Sequence, residues 1–279
     1  MAKNFNDKTI LLTGATDGIG RLTALKLAER GANLILHGRD KDKLDETIKE
    51  TSKKSGSNKI KGVIADFSCL DEVRIMAEDI KDRYQELNVL INNAGAGFSA
   101  PRYGKDGYEL RFEVNYLAPF LLTHLLLPLI KKSTPSRIVN VSSAGQRKLN
   151  FNDIMMKDSF DPVYAYAQSK LALIMFTIDL AAKLRGQDIT VNALHPGTYL
   201  NTKMVREAGI NPWGDPASGA DAEVYLALSP ELDRVTGKYF NVDKETLADS
   251  QAYNAQARQR LWHLSLGLTN LNGKQYEDS

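Results

Sequence analysis

The sequence predicts an α/β fold: a single-domain, doubly wound parallel β-sheet of about seven strands with helices on both faces. Two observations carry this. Short runs that are apolar throughout alternate with longer helical patterns along almost the whole chain. Strands of that kind are covered on both faces, which is the mark of a parallel sheet. Each run also ends in a turn-forming or polar residue, so the chain punctuates its strands at their carboxyl ends. Regular β-α-β alternation implies right-handed crossovers.

Thr9–Thr13 runs into Gly14, and Asn33–Leu36 leads to Gly38. Lys61–Ala65 precedes Asp66, Val89–Ile91 precedes Asn92-Asn93, and Arg137–Val141 precedes Ser142. Ile189–Leu194 precedes Pro196-Gly197, and Lys238–Val242 comes last. Helical patterns fill the gaps near 18–30, 40–52, 70–85, 107–131, 160–184 and 218–228. A further helix is expected from 245 to 265, because Leu247, Tyr253, Ala257, Leu261 and Leu264 recur at helix-like intervals. No Pro/Gly/Ser linker divides the 279 residues, so residues 1–279 read as one domain, with a core over 8–243 and a helical extension over 244–279.

Composition narrows the class without naming a function. With 43% hydrophobic and 25% charged residues the chain is neither disordered nor fibrous. A net charge of +2 supplies no field for nucleic acid or acidic lipid. The single cysteine, Cys69, cannot form an internal disulfide, which fits a reducing compartment. Ile10-Leu11-Leu12 is too short for a signal peptide. The most apolar stretch, Leu117–Ile130, has 14 residues, below the ~18 that suggest a membrane span. A cytoplasmic protein without membrane insertion is expected.

The chemistry sits at the strand ends, where ligands of such sheets bind. After the first strand come Gly14, Thr16, Asp17, Gly18, Ile19 and Gly20, with the glycines spaced Gly-x3-Gly-x-Gly. Glycines there permit a tight turn and let bare backbone approach a pyrophosphate, while the following helix aims its N-terminus at the anion. A flexible turn would also be glycine-rich, but here strand and helix flank the loop as dinucleotide binding requires. An acid at the end of the second strand would bind a ribose 2′-hydroxyl, and an arginine would accommodate a 2′-phosphate. This chain has His37-Gly38-Arg39, which favours NADP(H) over NAD(H). Asp17 argues mildly the other way.

Tyr166 and Lys170 are four residues apart and project from one helix face. Tyr164 and Lys170 lie about 240° apart and cannot cooperate. A lysine ammonium beside a phenol favours phenolate, so the tyrosine could exchange protons near neutral pH. Alone this spacing would be an ordinary amphipathic face. It is accompanied by Ser142-Ser143, by Asn92-Asn93-Ala94-Gly95 and by Asn115 in Phe112-Glu113-Val114-Asn115-Tyr116-Leu117.

In that order and separation the motifs resemble the short-chain dehydrogenase/reductase family, in its short Rossmann-type branch, from about Lys8 to Leu268. The resemblance implies that Tyr166 is the catalytic acid/base and that Lys170 lowers its pKa and holds the nicotinamide ribose. It implies that Ser143 rather than Ser142 orients the substrate carbonyl and that Asn115 anchors a water in a proton relay. It places Asn92, Ala94 and Gly95 in the cofactor cleft, Asp66 and Phe67 beside the adenine, and Pro196, Gly197 and Thr198 near the nicotinamide. Asp106-Gly107-Tyr108-Glu109 and the ending Ala257-Arg258-Gln259-Arg260-Leu261-Trp262 are most similar to the retinol-dehydrogenase-like and WW-domain-oxidoreductase-like group. The 23 positions from Ser143 to Tyr166 resemble it too.

Two departures qualify the resemblance. The segment Pro196–Thr202 is one residue longer than the family's pattern, so the family's threonine contact does not carry over to Thr202. Anchored retinol dehydrogenases begin with an apolar segment that this sequence does not show, so a retinoid is not the expected substrate. The expected activity is a reversible carbonyl reductase or alcohol dehydrogenase acting on a small carbonyl or alcohol compound. Phe151, Met155, Tyr199, Met204 and Trp213 are expected around an apolar pocket, Trp213 either capping it or packing locally.

A dinucleotide-holding sensor or scaffold is the alternative, and a broken tetrad would point to it; Asn115, Ser143, Tyr166 and Lys170 are all present. An epimerase or dehydratase would need a larger C-terminal domain. His37, His124, His195 and His263 have no metal-ligand spacing, and no metal is expected. Cys69 reads as structural and Lys53-Lys54-Ser55-Gly56 as a solvated loop. A homodimer through the helices near 107–131 and 160–184 is expected from the resemblance.

Overall fold

The computed structural model describes residues 8–271. Residues 1–7 of the N-terminal reading, and 272–279 of the C-terminal extension, lie outside the described residues. Eight strands form one sheet in the order β3-β2-β1-β4-β5-β6-β7-β8. They are β1 (Thr9–Leu12), β2 (Asn33–Gly38), β3 (Ile60–Ile64), β4 (Val89–Asn92), β5 (Ser136–Val141), β6 (Ile189–His195), β7 (Tyr239–Asn241) and β8 (Lys244–Thr246). All pairings are parallel except β7 with β8; Ile10, for instance, lies beside Leu34 on one side and Val89 on the other.

Each strand from β1 to β7 serves two cores. Leu11, Ile35, Leu90, Ile138 and Val191 face one layer, while Ile10, Leu12, Leu34, Leu36, Ile91 and Val139 face the other. This alternation is the period of two of an extended chain, and it explains why the runs are apolar at every position. The first layer holds α3 (Leu70–Arg83), α5 (Ala118–Lys132) and α6 (Pro162–Lys183); the second holds α1 (Gly18–Glu29), α2 (Lys41–Ser55) and α8 (Pro216–Leu228).

Helix starts follow local chemistry. Asp17, Asp40, Asp161 and Asp215 cap α1, α2, α6 and α8 by accepting from backbone N–H groups, and Pro162 and Pro216 open the last two. The patch expected as a loop at Lys53-Lys54-Ser55 is the final turn of α2, closed by Gly56 in the left-handed conformation.

Before α5 come α4 (Leu110–Phe112) and a π-turn (Glu113–Leu117) that runs directly into it. Residues Leu110–Lys132 together have the length and composition of a membrane span, yet 83% of the apolar window is buried. It is a core helix here. Pro119 has no N–H to offer the Asn115 carbonyl four residues back, so the widened turn falls where an α-helical bond cannot form.

The C-terminal expectation is corrected. The stretch from 245 is not one helix: after β8 come a 3₁₀ turn (Ser250–Tyr253) and α9 (Ala255–Leu268), started by the caps Asp249 and Asn254. Leu247 is 81% exposed and carries no helical face. A short α7 (Lys203–Glu207) is also present. Trp262 of α9 packs against Phe120 of α5 and Phe176 of α6, so α9 covers part of the helices through which pairing was expected.

Candidate active site

The carboxyl ends of the parallel strands open into one cleft of roughly 1330 Å³. Its lining runs in sequence from Gly14 to Ile210 and includes every expected cofactor and catalytic residue except Asn92 and Asn115.

The glycine loop is held from beneath. Gly14 has φ +67°, and a Cβ there would stand 2.7 Å from the Ala94 backbone. A Cβ on Gly20 would meet the Gly14 carbonyl at 2.2 Å. Only bare backbone fits, which leaves the loop and the N-terminus of α1 free to cradle a pyrophosphate. Asp17 is occupied as the cap of α1, accepting from Gly18 N at 2.6 Å.

The structure makes Asn93, not Asn92, the asparagine of this cleft. The Asn93 amide donates to the carbonyls of Thr13 and Gly14, at 2.8 and 3.0 Å. Asn92 points one position away, into the protein, donating to Asn140 Oδ1 at 2.8 Å and Thr123 Oγ1 at 3.2 Å. Alternate residues of a strand face opposite sides, so the paired asparagines cannot share a role.

His37, set aside in the sequence, is a further organiser. Burial pushes its pKa down to about 4, so the ring is neutral. Its Nδ1 accepts from Gly14 N at 3.2 Å, while Nε2 faces the Ala65 carbonyl at 2.9 Å. The ring stacks on Phe67 at 4.2 Å, tying the glycine loop to the expected adenine side. Nearby, burial acts to raise Asp66, but hydrogen bonds from Ser68 and Lys105 hold its carboxyl below the usual range. Arg39 and Lys43 line this end and make no ion pair among the described residues.

At the other end Ser143 and Tyr166 border one point: a Cβ on Gly145 would lie 3.5 Å from Ser143 Oγ and 4.0 Å from Tyr166 Cε1. The Ser143 hydroxyl oxygen accepts from Gly145 N at 3.0 Å, which leaves its proton to be donated. Ser142 instead donates to the Lys170 carbonyl at 2.7 Å, pinning α6 to β5. Tyr164 turns away and donates to the Lys148 carbonyl at 2.7 Å. Asn115 accepts from Ala96 N at 2.7 Å and donates to the Ser169 hydroxyl at 3.0 Å. A Cβ on Gly95 would lie 3.3 Å from Asn115 Oδ1 and 3.6 Å from Lys170 Nζ, so both groups border the same narrow space.

The electrostatics differ from the simple expectation. Lys170 Nζ donates to the Val141 carbonyl at 2.9 Å, and burial pulls its pKa down to about 8. Burial pushes the Tyr166 phenol above its ordinary value, with the neighbouring Ser143 side chain opposing. For both groups desolvation outweighs the support each receives, the phenol from Ser143 and the ammonium from Glu223.

Beyond β6, His195 Nε2 lies 3.0 Å from Thr198 Oγ1, and burial pushes the His195 pKa down to about 4. The lengthened segment brings Thr202 over the glycine loop, its Cγ2 3.3 Å from where a Gly18 Cβ would stand. Of the expected pocket residues, Tyr199 and Met204 line the cleft. Phe151 packs on the core, Met155 is buried within it, and Trp213 stands 74% exposed, edge-on to Tyr199. Phe98, Val114 and Ile210 provide apolar lining that the motifs did not indicate.

The family described as short chain dehydrogenase matches residues 8–212. Mouse retinol dehydrogenase 13 is 37% identical over 284 residues, an alignment covering 95% of this chain and 84% of the relative. A short chain dehydrogenase from Shigella flexneri 2a complexed with NADP superposes with a TM-score of 0.72 at 29% identity, covering 87% of this chain and 99% of that one. One from Escherichia coli CFT073 complexed with NADPH gives 0.71 at 30% identity, covering 86% and 98%.

Proposed function

This chain belongs to the short-chain dehydrogenase/reductase family and is an NAD(P)-dependent oxidoreductase, and we propose that it interconverts an apolar carbonyl compound and its alcohol using NADP(H), with Tyr166 as the acid/base. The observation that carries this reading is that Ser143, Tyr166 and Lys170 stand together in the cleft whose other end is the glycine loop.

Gly14, Gly18 and Gly20 would hold the pyrophosphate, Phe67 and Asp66 would flank the adenine, and Pro196, Gly197 and Thr198 would lie by the nicotinamide. A nicotinamide bound there supplies hydride to a carbonyl carbon, or accepts it from an alcohol. During reduction the protein must supply a proton to the carbonyl oxygen. Ser143 and Tyr166 stand side by side in the cleft, and a carbonyl oxygen set between them would accept from both. Ser143 then stabilises the charge that develops on that oxygen, and Tyr166 gives up its proton to it. The Lys170 ammonium supports the tyrosinate left behind. Asn115 fixes the Ala96 backbone beside Lys170, where a water could return the proton to Tyr166.

Arg39 and Lys43 support NADP(H). Two cations without an ion-pair partner among the described residues, at the adenine end, suit a 2′-phosphate, and no carboxylate ends β2. The comparison structures complexed with NADP and NADPH support the same choice. Phe98, Val114, Met204 and Ile210 favour an apolar substrate. Retinal belongs to that class, which brings it into the test despite the expectation from the N-terminal sequence.

The experiment is NADPH oxidation, followed spectrophotometrically, with linear aldehydes, aryl ketones and retinal, and then with NADH in its place. Sustained turnover of at least one carbonyl, faster with NADPH, is expected. Tight dinucleotide binding without turnover of any carbonyl or alcohol would establish the sensor alternative instead.

A further inference from the structure

Between β4 and α4 the chain makes a long crossing, from about 93 to 109, without a helix of its own. Connections this long are usually functional. This one runs along the mouth of the cleft and ends at a side chain with an unusual environment. Arg111 is fully buried, at 0% exposure. Withdrawing a guanidinium from water costs several kcal/mol unless its donors are matched.

The donors on Nη1 and Nη2 are matched, mostly by the loop, while Nε is buried without a hydrogen-bond partner among the described residues. Arg111 Nη2 donates to the carbonyl of Phe98 at 2.7 Å and to that of Ala100, and Nη1 donates to the carbonyl of Pro101 at 3.0 Å. Nη1 also meets Glu109 Oε1 at 2.8 Å, giving the buried cation its counter-charge. Phe160 lies against the guanidinium at 5.4 Å. Four residues on, Asn115 holds Ala96 through both its backbone groups, at 2.7 and 3.1 Å. Arg111 and Asn115 therefore grip the loop at two points from one helical stretch.

What the grip presents is Phe98. Its ring stands edge-on to Tyr166, with centroids 4.8 Å apart and planes at 74°. Phe98 lines the cleft, and the carbonyl of that same residue is one of those Arg111 holds.

We propose that Phe98 is a specificity-determining residue, forming the wall beside the reacting oxygen, and that Arg111 is the positioning residue that fixes it there. This rests on the proposed carbonyl chemistry at Tyr166. The ring confines the Tyr166 phenol on one side and takes space that a bulky substituent on the substrate carbonyl would otherwise fill. Arg111 touches no substrate; it acts through the Phe98 carbonyl. A lysine in its place is a point charge without the planar fork that reaches several carbonyls at once.

The test compares kcat/KM for an aryl ketone and a linear aldehyde in the parent, Phe98→Ala and Arg111→Lys, with NADPH binding and thermal melting measured on each. Phe98→Ala should raise the ketone-to-aldehyde ratio about tenfold, the scale of discrimination a pocket side chain provides. NADPH affinity should stay within about twofold, since Phe98 lies at the far end of the cleft from Arg39. Arg111→Lys should move the ratio in the same direction and lower kcat for the aldehyde more than it raises KM. A merely structural arginine would lower the melting temperature and leave the ratio alone. If Arg111→Lys does not fold, Glu109→Gln, which removes the counter-charge at Nη1, takes its place.

An unchanged ratio in Phe98→Ala overturns the assignment of Phe98. A parental ratio in a folded Arg111→Lys or Glu109→Gln, beside a shifted Phe98→Ala, overturns the assignment of Arg111. A parent that binds NADPH and turns over neither substrate class instead overturns the reading of function, and this proposal with it.

Discussion

The Lys170 ammonium lies 5.6 Å from the centre of the Tyr166 ring and donates to the Val141 carbonyl at the end of β5. The strand end thus positions the cation, and the cation lies beside the phenol. With its pKa brought down to about 8, Lys170 loses its proton just above neutrality. Carbonyl reduction needs the ammonium to support the tyrosinate, so its rate should fall as pH rises through about 8. Lys170→Met should be slower by about 10² or more and lack that inflection. Steady-state reduction measured from pH 6.5 to 9.5 checks both; a flat parental profile would separate Lys170 from the proton step.

Arg39 and Lys43 stand together at the adenine end of the cleft. Replacing both by alanine should weaken NADPH binding by about 10- to 100-fold, the scale of two charge-assisted hydrogen bonds. NADH binding should change by less than about twofold, since it lacks the 2′-phosphate. Fluorescence titration of both cofactors measures the difference. Equal losses for the two would remove the basis for choosing NADP(H).

Stability should peak between the acid and alkaline sides of neutrality, for two opposed reasons. His37, His124 and His195 have pKa values pushed from 6.5 down to about 4 by burial. Between those limits the unfolded chain binds more protons, so stability falls as pH drops from 6.5 to 4. Glu113 and Glu223 have pKa values pushed from 4.5 up to about 9 and about 8, mainly by burial. There the folded chain binds more protons, so stability falls as pH rises from 4.5 to about 8. Three histidines outweigh two glutamates below 6.5, and between 6.5 and about 8 these glutamates set the slope, which places the maximum near 6.5. Melting temperature measured across pH 4.5 to 8 tests this. His37→Phe should flatten the acid limb and Glu113→Gln the alkaline one; limbs unchanged in both variants would contradict the assignment.

Much of this site was legible because its motifs follow the strands. Apolar runs located seven strands to within one or two residues, and the glycine spacing located the loop between β1 and α1. What escaped had no such signal. β8 is three polar, exposed residues, recognisable only by its pairing with β7. The periodicity of Leu247 and Tyr253 mimicked a helix, although caps at Asp249 and Asn254 restart the chain twice. Asn92 and Asn93 are chemically identical, and only the strand's alternation separates the buried one from the one beneath the glycine loop. Arg111 and Phe98 lie 13 residues apart and meet through a backbone carbonyl, a contact that no residue pattern encodes.

The central claim is that Tyr166 passes the proton, and Tyr166→Phe tests it by removing one oxygen from a half-buried ring that otherwise keeps its packing on Phe98. NADPH binding should stay within about twofold of the parent, while carbonyl reduction falls by about 10³ or more at every pH. A folded Tyr166→Phe that binds NADPH and reduces carbonyls at the parental rate would contradict the account.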